Sequence, residues 1–220
     1  MRISDRRALG APVRVTVRSK EECVGERRLA GFRCGDGPAA HEVAMIVANL
    51  LSGEAVPQTV ALVSDAAGGA LLGIASVRPE GNPQLRAKPS TPWFVRRLAS
   101  NPYVNVIARD ERYAGCMLSD GRTRLGTVIL RAGLEALAAE LGGARLPTVW
   151  ALVRRENEIS KRTFGEFAFY PHDRSQENQQ DVYVRRAGRR LPPAPAPDAY
   201  IPLGREPEVR SQTRASERSG

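Results

Sequence analysis

The sequence predicts an α/β (α+β) domain, with strands and helices interleaved in one unit. Three observations predict it. Residues Tyr103 to Tyr170 read as strand, glycine-bearing loop, long helix, strand and short helix. The stretch before it alternates short strand segments with an apolar stripe at helical spacing. At 220 residues and 42% hydrophobic content, the chain has enough apolar mass for one core with extra tails.

The elements follow in order. Val13-Arg14-Val15-Thr16-Val17 alternates apolar and polar residues, as a half-buried strand does. Ser19 followed three positions on by Glu22 matches a capping box and predicts a helix over roughly Lys20 to Ala30. Gly35-Asp36-Gly37-Pro38 reads as a turn. Val43, Ile46, Val47, Leu50 and Leu51 form a helical stripe over His41 to Leu51. Thr59 to Val63 and Leu71 to Val77 read as strands, with Asp65 to Gly69 as the hairpin turn between them. Pro79 to Pro102 is rich in Pro, Gly, Asn and Ser, and reads as a long loop with one short helix near Pro92 to Ser100. Tyr103 to Ala108 is a strand, Arg109 to Gly121 a loop, and about Arg122 to Leu141 a helix. Thr148 to Val153 and Asp181 to Arg185 are further strands, and a helix opens at Asn157. The domain is therefore placed at about 11–186, after an N-terminal extension of residues 1–10. Residues 187–220 form a tail: Leu191 to Pro197 extended polyproline, Ser211 to Gly220 disordered.

Composition narrows the function classes. The net charge of +9 favours anionic partners such as the phosphates of a cofactor or nucleic acid, and equally fits a chain that is merely Arg-rich. The three cysteines (Cys23, Cys34 and Cys116) lack paired spacing, and the histidines (His41 and His172) are isolated. That argues against a disulfide framework and against a metal site. The longest apolar runs are too short to span a bilayer, and Met1 to Arg7 leads into no apolar signal segment. The expected setting is reduced and cytoplasmic, away from membranes.

A loop with exposed amides feeding a helix start is a natural anion site. Arg112-Tyr113-Ala114-Gly115-Cys116-Met117 precedes the long helix, and Asn157-x-x-Ser160-x-x-x-Phe164, then Phe167-Ala168-Phe169, follows the second strand. In this order the two segments resemble the GNAT superfamily of N-acetyltransferases. In that family an Arg/Gln-x-x-Gly-x-Gly/Ala loop holds the acetyl-CoA pyrophosphate, and an Asn-x-x-Ala-x-x-x-Tyr helix precedes Gly-Phe. Here Met117 replaces the last small residue, Leu118 to Arg124 is an insertion before Gly126, Phe164 replaces the tyrosine and Ala168 the glycine. The resemblance implies a GNAT-like mixed, mostly antiparallel central sheet flanked by helices, with the two central strands splayed around the cofactor.

It also implies site residues. Gly115, Gly121, Gly126 and Thr127 would bring backbone to the pyrophosphate, supplemented by Arg112, Arg122 and Arg124. Ile107, Ala108 and Arg109 would face the pantetheine arm, with Val153 and Arg154 on the far wall. Asn157 and Ser160 would bond the cofactor, although Asn is a strong helix starter without any ligand. Asp110 and Glu111 are candidate bases, and exposed loop carboxylates are the plain alternative for each. With a phenyl ring at Phe164, a proton for the leaving thiolate must come from Tyr113, Tyr170, Ser160, water or no side chain. Cys116 has no His near it in sequence and reads as a bystander.

The leading expectation is an N-acetyltransferase: direct attack of an amine on acetyl-CoA, or another acyl-CoA, as co-substrate, without a metal. The acceptor class is open, and so is homodimer formation. Two alternatives stand beside it: a catalytically degenerate CoA binder, and a nucleic-acid-binding protein using its Arg-rich segments. Aromatic residues at 5% make stacking platforms scarce for the latter.

Overall fold

A computed structural model describes residues 7–35, 39–67, 69–143, 145–175 and 179–202. β1 (Val13–Ser19) runs into a 3-10 turn at Glu21–Cys23 and the short α1 (Arg27–Ala30). α2 (Ala40–Ser52), the hairpin of β2 (Thr59–Asp65) and β3 (Leu71–Arg78), and the helices α3 (Pro83–Ala87) and α4 (Trp93–Leu98) follow. Then come β4 (Tyr103–Arg109), a second 3-10 turn (Glu111–Tyr113), α5 (Leu125–Glu140), β5 (Val149–Arg154) and α6 (Glu158–Glu166). β6 (Tyr170–Ser175), β7 (Gln180–Arg185) and the two-residue β8 (Tyr200–Ile201) close the described chain.

The described strands form one sheet in the order β6-β7-β5-β4-β3-β2-β1-β8. Its pairs are antiparallel except β4 with β5 and β1 with β8. This is the mixed, mostly antiparallel sheet expected. β4 and β5 pair only at Tyr103↔Trp150 and Val104↔Ala151, then splay apart.

α5 covers one face of the sheet. Its Leu125, Val128, Ile129 and Ala132 pack on Val63, Leu72 and Ala75, while Leu130, Leu134 and Leu137 meet Val104, Val149 and Phe164 of α6. The helix lies so close that a Cβ on Gly133 would stand 2.8 Å from the Ala75 side chain. The opposite face has two separate covers. Leu29, Val43, Val47 and Leu50 of α1 and α2 pack on Leu62, Ile74 and Ala108. Val95 and Ala99 of the α4 region pack on Tyr103, Trp150 and Val182.

Several boundaries differ from expectation. The capping box forms, with Ser19 N donating to Glu22 Oε2 at 2.8 Å and Glu22 N to Ser19 Oγ at 3.3 Å. It starts only a 3-10 turn, because Gly25 at φ +73° breaks the helix expected over 20–30. The long helix begins at Leu125 rather than Arg122, since the Asp120 carboxylate accepts from the amides of Arg122 and Thr123 at 2.8 Å and holds them in a turn. The 79–102 loop contains α3 as well as α4, started by Asn82 Oδ1 accepting from Leu85 N at 3.3 Å and by Pro83 in the first turn.

The tail boundary at 187 also moves. Arg131 donates to the Pro192 and Pro193 carbonyls, and Ala199 and Tyr200 are buried in the core beside Val13. The Tyr200 hydroxyl donates to Glu135 Oε2 at 2.6 Å. Residues 191–201 are therefore part of the domain; 203–220, including the segment expected to be disordered, lie outside the described residues. Within the expected N-terminal extension, Leu9 N donates to Met117 O at 2.9 Å and Met117 N to Arg7 O at 3.0 Å. The Asp36-Gly37-Pro38 part of the expected turn is outside the described residues.

Candidate functional site

Past Val104 and Ala151 the facing edges of β4 and β5 lack a strand partner. Asn105 to Arg109 is bonded to β3 on its other side only, through Ala75↔Ile107, Ile74↔Ala108 and Gly73↔Arg109. Unpaired strand edges offer amides and carbonyls to an extended ligand. Ile107 is partly buried under α5, and Ala108 is buried on the opposite face.

The splay opens toward the loop before α5. Leu125 N donates to Cys116 O at 3.3 Å, Leu118 N to Thr123 O at 2.8 Å, and Met117 bridges to Arg124. The 118–124 insertion is thus a closed excursion anchored by the fully buried Leu118. It returns the chain so that Cys116 abuts Leu125 at the start of α5. Gly115 (φ +79°) makes the turn that this requires.

No side chain caps the start of α5. The Leu125 amide is taken by Cys116 O, and the rest of the helix start borders a cleft of about 400 Å³ lined by Arg122, Arg124, Thr127, Arg131, Glu166 and Pro193, among others. Positive side chains and an uncapped helix N-terminus suit an anion. One carboxylate of the chain is already there: Glu166 Oε2 accepts from Thr127 Oγ1 at 2.7 Å, and Oε1 lies 4.0 Å from Arg124 Nη1. Nothing in the sequence marks Glu166 for this place, because it comes from the far end of α6.

Asn157 starts α6, its Oδ1 accepting from Ser160 N at 3.0 Å. It stands just past the end of β5, at the mouth of the splay. α6 ends in a Schellman arrangement, with Phe169 N on Phe164 O and Ala168 N on Gly165 O. Ala168, which stands in place of the glycine that the resemblance implies, has φ +59°, a left-handed backbone that glycine adopts freely. Phe164 is buried edge-on against Phe169, with ring centroids 4.9 Å apart, and 6.3 Å from the Tyr183 ring.

The proposed bases and acids are distributed differently. Asp110 is fully buried. Its carboxylate accepts from Arg112 Nε at 2.7 Å, Arg112 Nη2 at 3.0 Å, Arg112 N at 3.1 Å and Arg33 N at 3.3 Å. Burial pushes its pKa up, but the Arg112 and Arg33 hydrogen bonds outweigh it and hold the carboxyl below its usual range. A buried carboxylate so bonded is a weak base, and it ties the end of β4 to the Arg33 segment. Arg112 is thereby engaged away from the α5 cleft. Glu111 is exposed, on the rim of a second, apolar cleft of about 470 Å³ between α1 and α2. Tyr113 packs its ring against the α5 core, and Tyr170 accepts from Arg186 Nε at 3.0 Å. Gly121 (φ +64°) lies in the exposed turn of the insertion.

Sequence reasoning missed Tyr183, opposite Ala151 on β7 and so level with the last β4–β5 rung. Burial raises its pKa, opposed by Lys161. It also missed a polar group on the face opposite α5. Gln58 Oε1 accepts from the Ser76 hydroxyl and from Asn105 Nδ2 (3.1 Å for the latter), and Arg154 pairs with Glu42 of α2. Ser76, Asn105 and Arg154 lie on three different strands, Gln58 just before β2 and Glu42 on α2, so only the folded chain brings them together.

No family model matches the chain, and no curated protein does. Solved structures do. It is similar to a GNAT-family protein from Desulfovibrio desulfuricans (15% identity, TM-score 0.47, covering 78% of this chain and 98% of that one). It is similar to an acetyltransferase from Thermus thermophilus (20%, 0.44, 79% and 96%). It is also similar to the Campylobacter jejuni N-acetyltransferase PseH, solved in complex with acetyl coenzyme A (8%, 0.46, 78% and 98%). At these identities the similarity is one of fold. No described helix is long and apolar enough to cross a membrane.

Proposed function

We propose that this chain binds an acyl-CoA, with acetyl-CoA the default donor, and transfers its acyl group to an amine. The observation that carries this reading is the splay: β4 and β5 part after two buried rungs and leave two unpaired edges, and the helix that follows β4 starts without a side-chain cap. The pantetheine amides fit the edges at Asn105 to Arg109. The diphosphate fits the amides of Gly126 and Thr127 with Arg122 and Arg124, taking Thr127 and Arg124 over from Glu166. Asn157 can reach the arm with its amide nitrogen while its oxygen caps α6. In the transfer the amine nitrogen bonds to the acyl carbon, the carbon–sulfur bond breaks, the amine loses a proton and the thiolate gains one. Much of the rate can come from proximity. Tyr183, whose ring lies 6.3 Å from that of Phe164, is the phenol we assign to the proton in place of the missing hydroxyl.

A binding-only role is the second reading, favoured by the missing hydroxyl at Phe164 and by the tied carboxylate of Asp110. Calorimetric titration with acetyl-CoA tests both. Binding by the wild type, weakened about tenfold in Asn157→Ala, supports the site, and acyl release on adding amines separates transfer from binding. A folded wild type that binds neither acetyl-CoA nor CoA overturns both readings.

A further inference from the structure

The face opposite α5 is covered in two patches that share no residue, one under α1 and α2, the other under α3 and α4. Between them the floor is polar. Asn105 is the first residue of β4 beyond the last β4–β5 rung, and its amide is held by Gln58, itself held by the fully buried Ser76. At one end of this gap Arg154 is neutralised by Glu42. At the other end stands Arg78, the last residue of β3, paired in register with Tyr103.

Arg78 has no such partner. Its Nε and Nη1 are buried and make no hydrogen bond, and no carboxylate of the described residues forms an ion pair with it. Buried polar groups in folded proteins are almost always satisfied, and two bare, buried donors on a half-buried guanidinium are disfavoured. Such an orphan calls for a partner that the chain itself does not supply. Strand spacing of about 4.8 Å and a rise of about 3.3 Å per residue put Arg78 within about 10 Å of Asn105, on the same face.

We propose that the amine acceptor enters on this face and carries a carboxylate that Arg78 binds, so that the substrate is a small amino acid-like amine. The proposal rests on the acyl-transfer reading for its amine, but not for its anion. The amine then meets the thioester beside Asn105, and the carboxylate is set back by the few atoms that separate Asn105 from Arg78. A single guanidinium matches one negative charge. The next arginine on this face, Arg154, is already paired with Glu42, so a phosphate dianion would keep an uncompensated charge.

The test uses the full chain and three variants: Arg78→Met, Arg78→Gln and Arg78→Lys. Initial rates with acetyl-CoA are compared for β-alanine, β-alaninamide and phosphoethanolamine, and N-acetyl-β-alanine is titrated calorimetrically. The expected result is a kcat/KM for β-alanine about 100-fold above that for the amide. In Arg78→Met and Arg78→Gln that preference disappears through KM, and N-acetyl-β-alanine binding falls by a similar factor. Acetyl-CoA affinity stays unchanged, Arg78→Lys recovers part of the preference, and the melting temperature of Arg78→Met is no lower than that of the wild type. Equal binding of N-acetyl-β-alanine by wild type and Arg78→Met, a preference for phosphoethanolamine, or a preference for the amide would each overturn the proposal. If acetyl-CoA fails to bind while Arg78-dependent carboxylate binding persists, the transferase reading falls and the carboxylate site stands.

Discussion

On one face of the sheet α5 lays Leu130, Leu134 and Leu137 onto strands that answer with Val, Ala and Tyr183, at a spacing close enough to need Gly133. On the other face α2 and the α3–α4 pair stop short of each other and leave Gln58, Ser76, Asn105 and Arg78 between them. Both faces belong to the same strands, so the difference cannot come from strand propensity. It comes from what each strand position is asked to do. The α5 face holds the domain together, and apolar packing there rewards every methylene. The other face keeps polar groups at a desolvation cost that stability alone gives no reason to accept.

The largest expected effect breaks that contrast from the apolar side. Leu134 is fully buried, and Leu134→Ala should lower unfolding free energy by about 3 kcal/mol in urea titration, through lost transfer energy plus a cavity. A loss under about 1 kcal/mol would mean that α5 is not packed as described. A smaller effect of opposite sign should come from Ala168→Gly. Ala168 holds a left-handed backbone that glycine adopts freely, so the substitution should stabilise by about 1 kcal/mol in the same titration. Destabilisation would contradict the Schellman geometry.

The smallest expected effect sharpens the comparison through pH. Beside α1, on the α2 side, Glu26 accepts from the Arg28 guanidinium at 2.9 Å. The Arg28 hydrogen bond, opposed by burial, holds its pKa down at about 2, from an ordinary value near 4.5. A depressed carboxylate contributes stability that is present above about pH 4.5 and lost as pH falls through 2. Urea midpoints measured from about pH 5 to pH 2 should therefore fall less steeply for Glu26→Gln than for the wild type. With solvent screening the difference should be about 0.5 kcal/mol. Identical slopes would remove this pair from the acid response.

What the sequence made legible follows from range. α2 and α5 carry periodic apolar stripes, and β1 to β5 carry alternation or apolar runs, all of them local signals. β6 was not legible, because Tyr170-Pro171-His172-Asp173-Arg174-Ser175 has no alternation and becomes a strand only as the edge partner of β7. β8 is two residues long and exists because β1 offers an edge. The site divides in the same way. The glycine loop, Asn157 and the departures at Phe164 and Ala168 could be read by spacing. Asp110 looked like a free loop carboxylate, and only the folded chain brings Arg33 to its side. Glu166 and Arg78 have no motif around them, since their meaning depends on helix and strand ends that meet from distant parts of the chain.

β8 has a consequence for how the molecule comes into being. Tyr200 fills core space beside Val13, so strands from opposite ends of the chain share one hydrophobic cluster. During synthesis the β1 edge and the space Tyr200 will fill stay open until nearly all of the domain has been made. Contacts this distant in sequence slow folding, and an open strand edge is a template for pairing with another chain. The last step, closing that seam, is therefore the interval in which a nascent copy is most exposed to its neighbours.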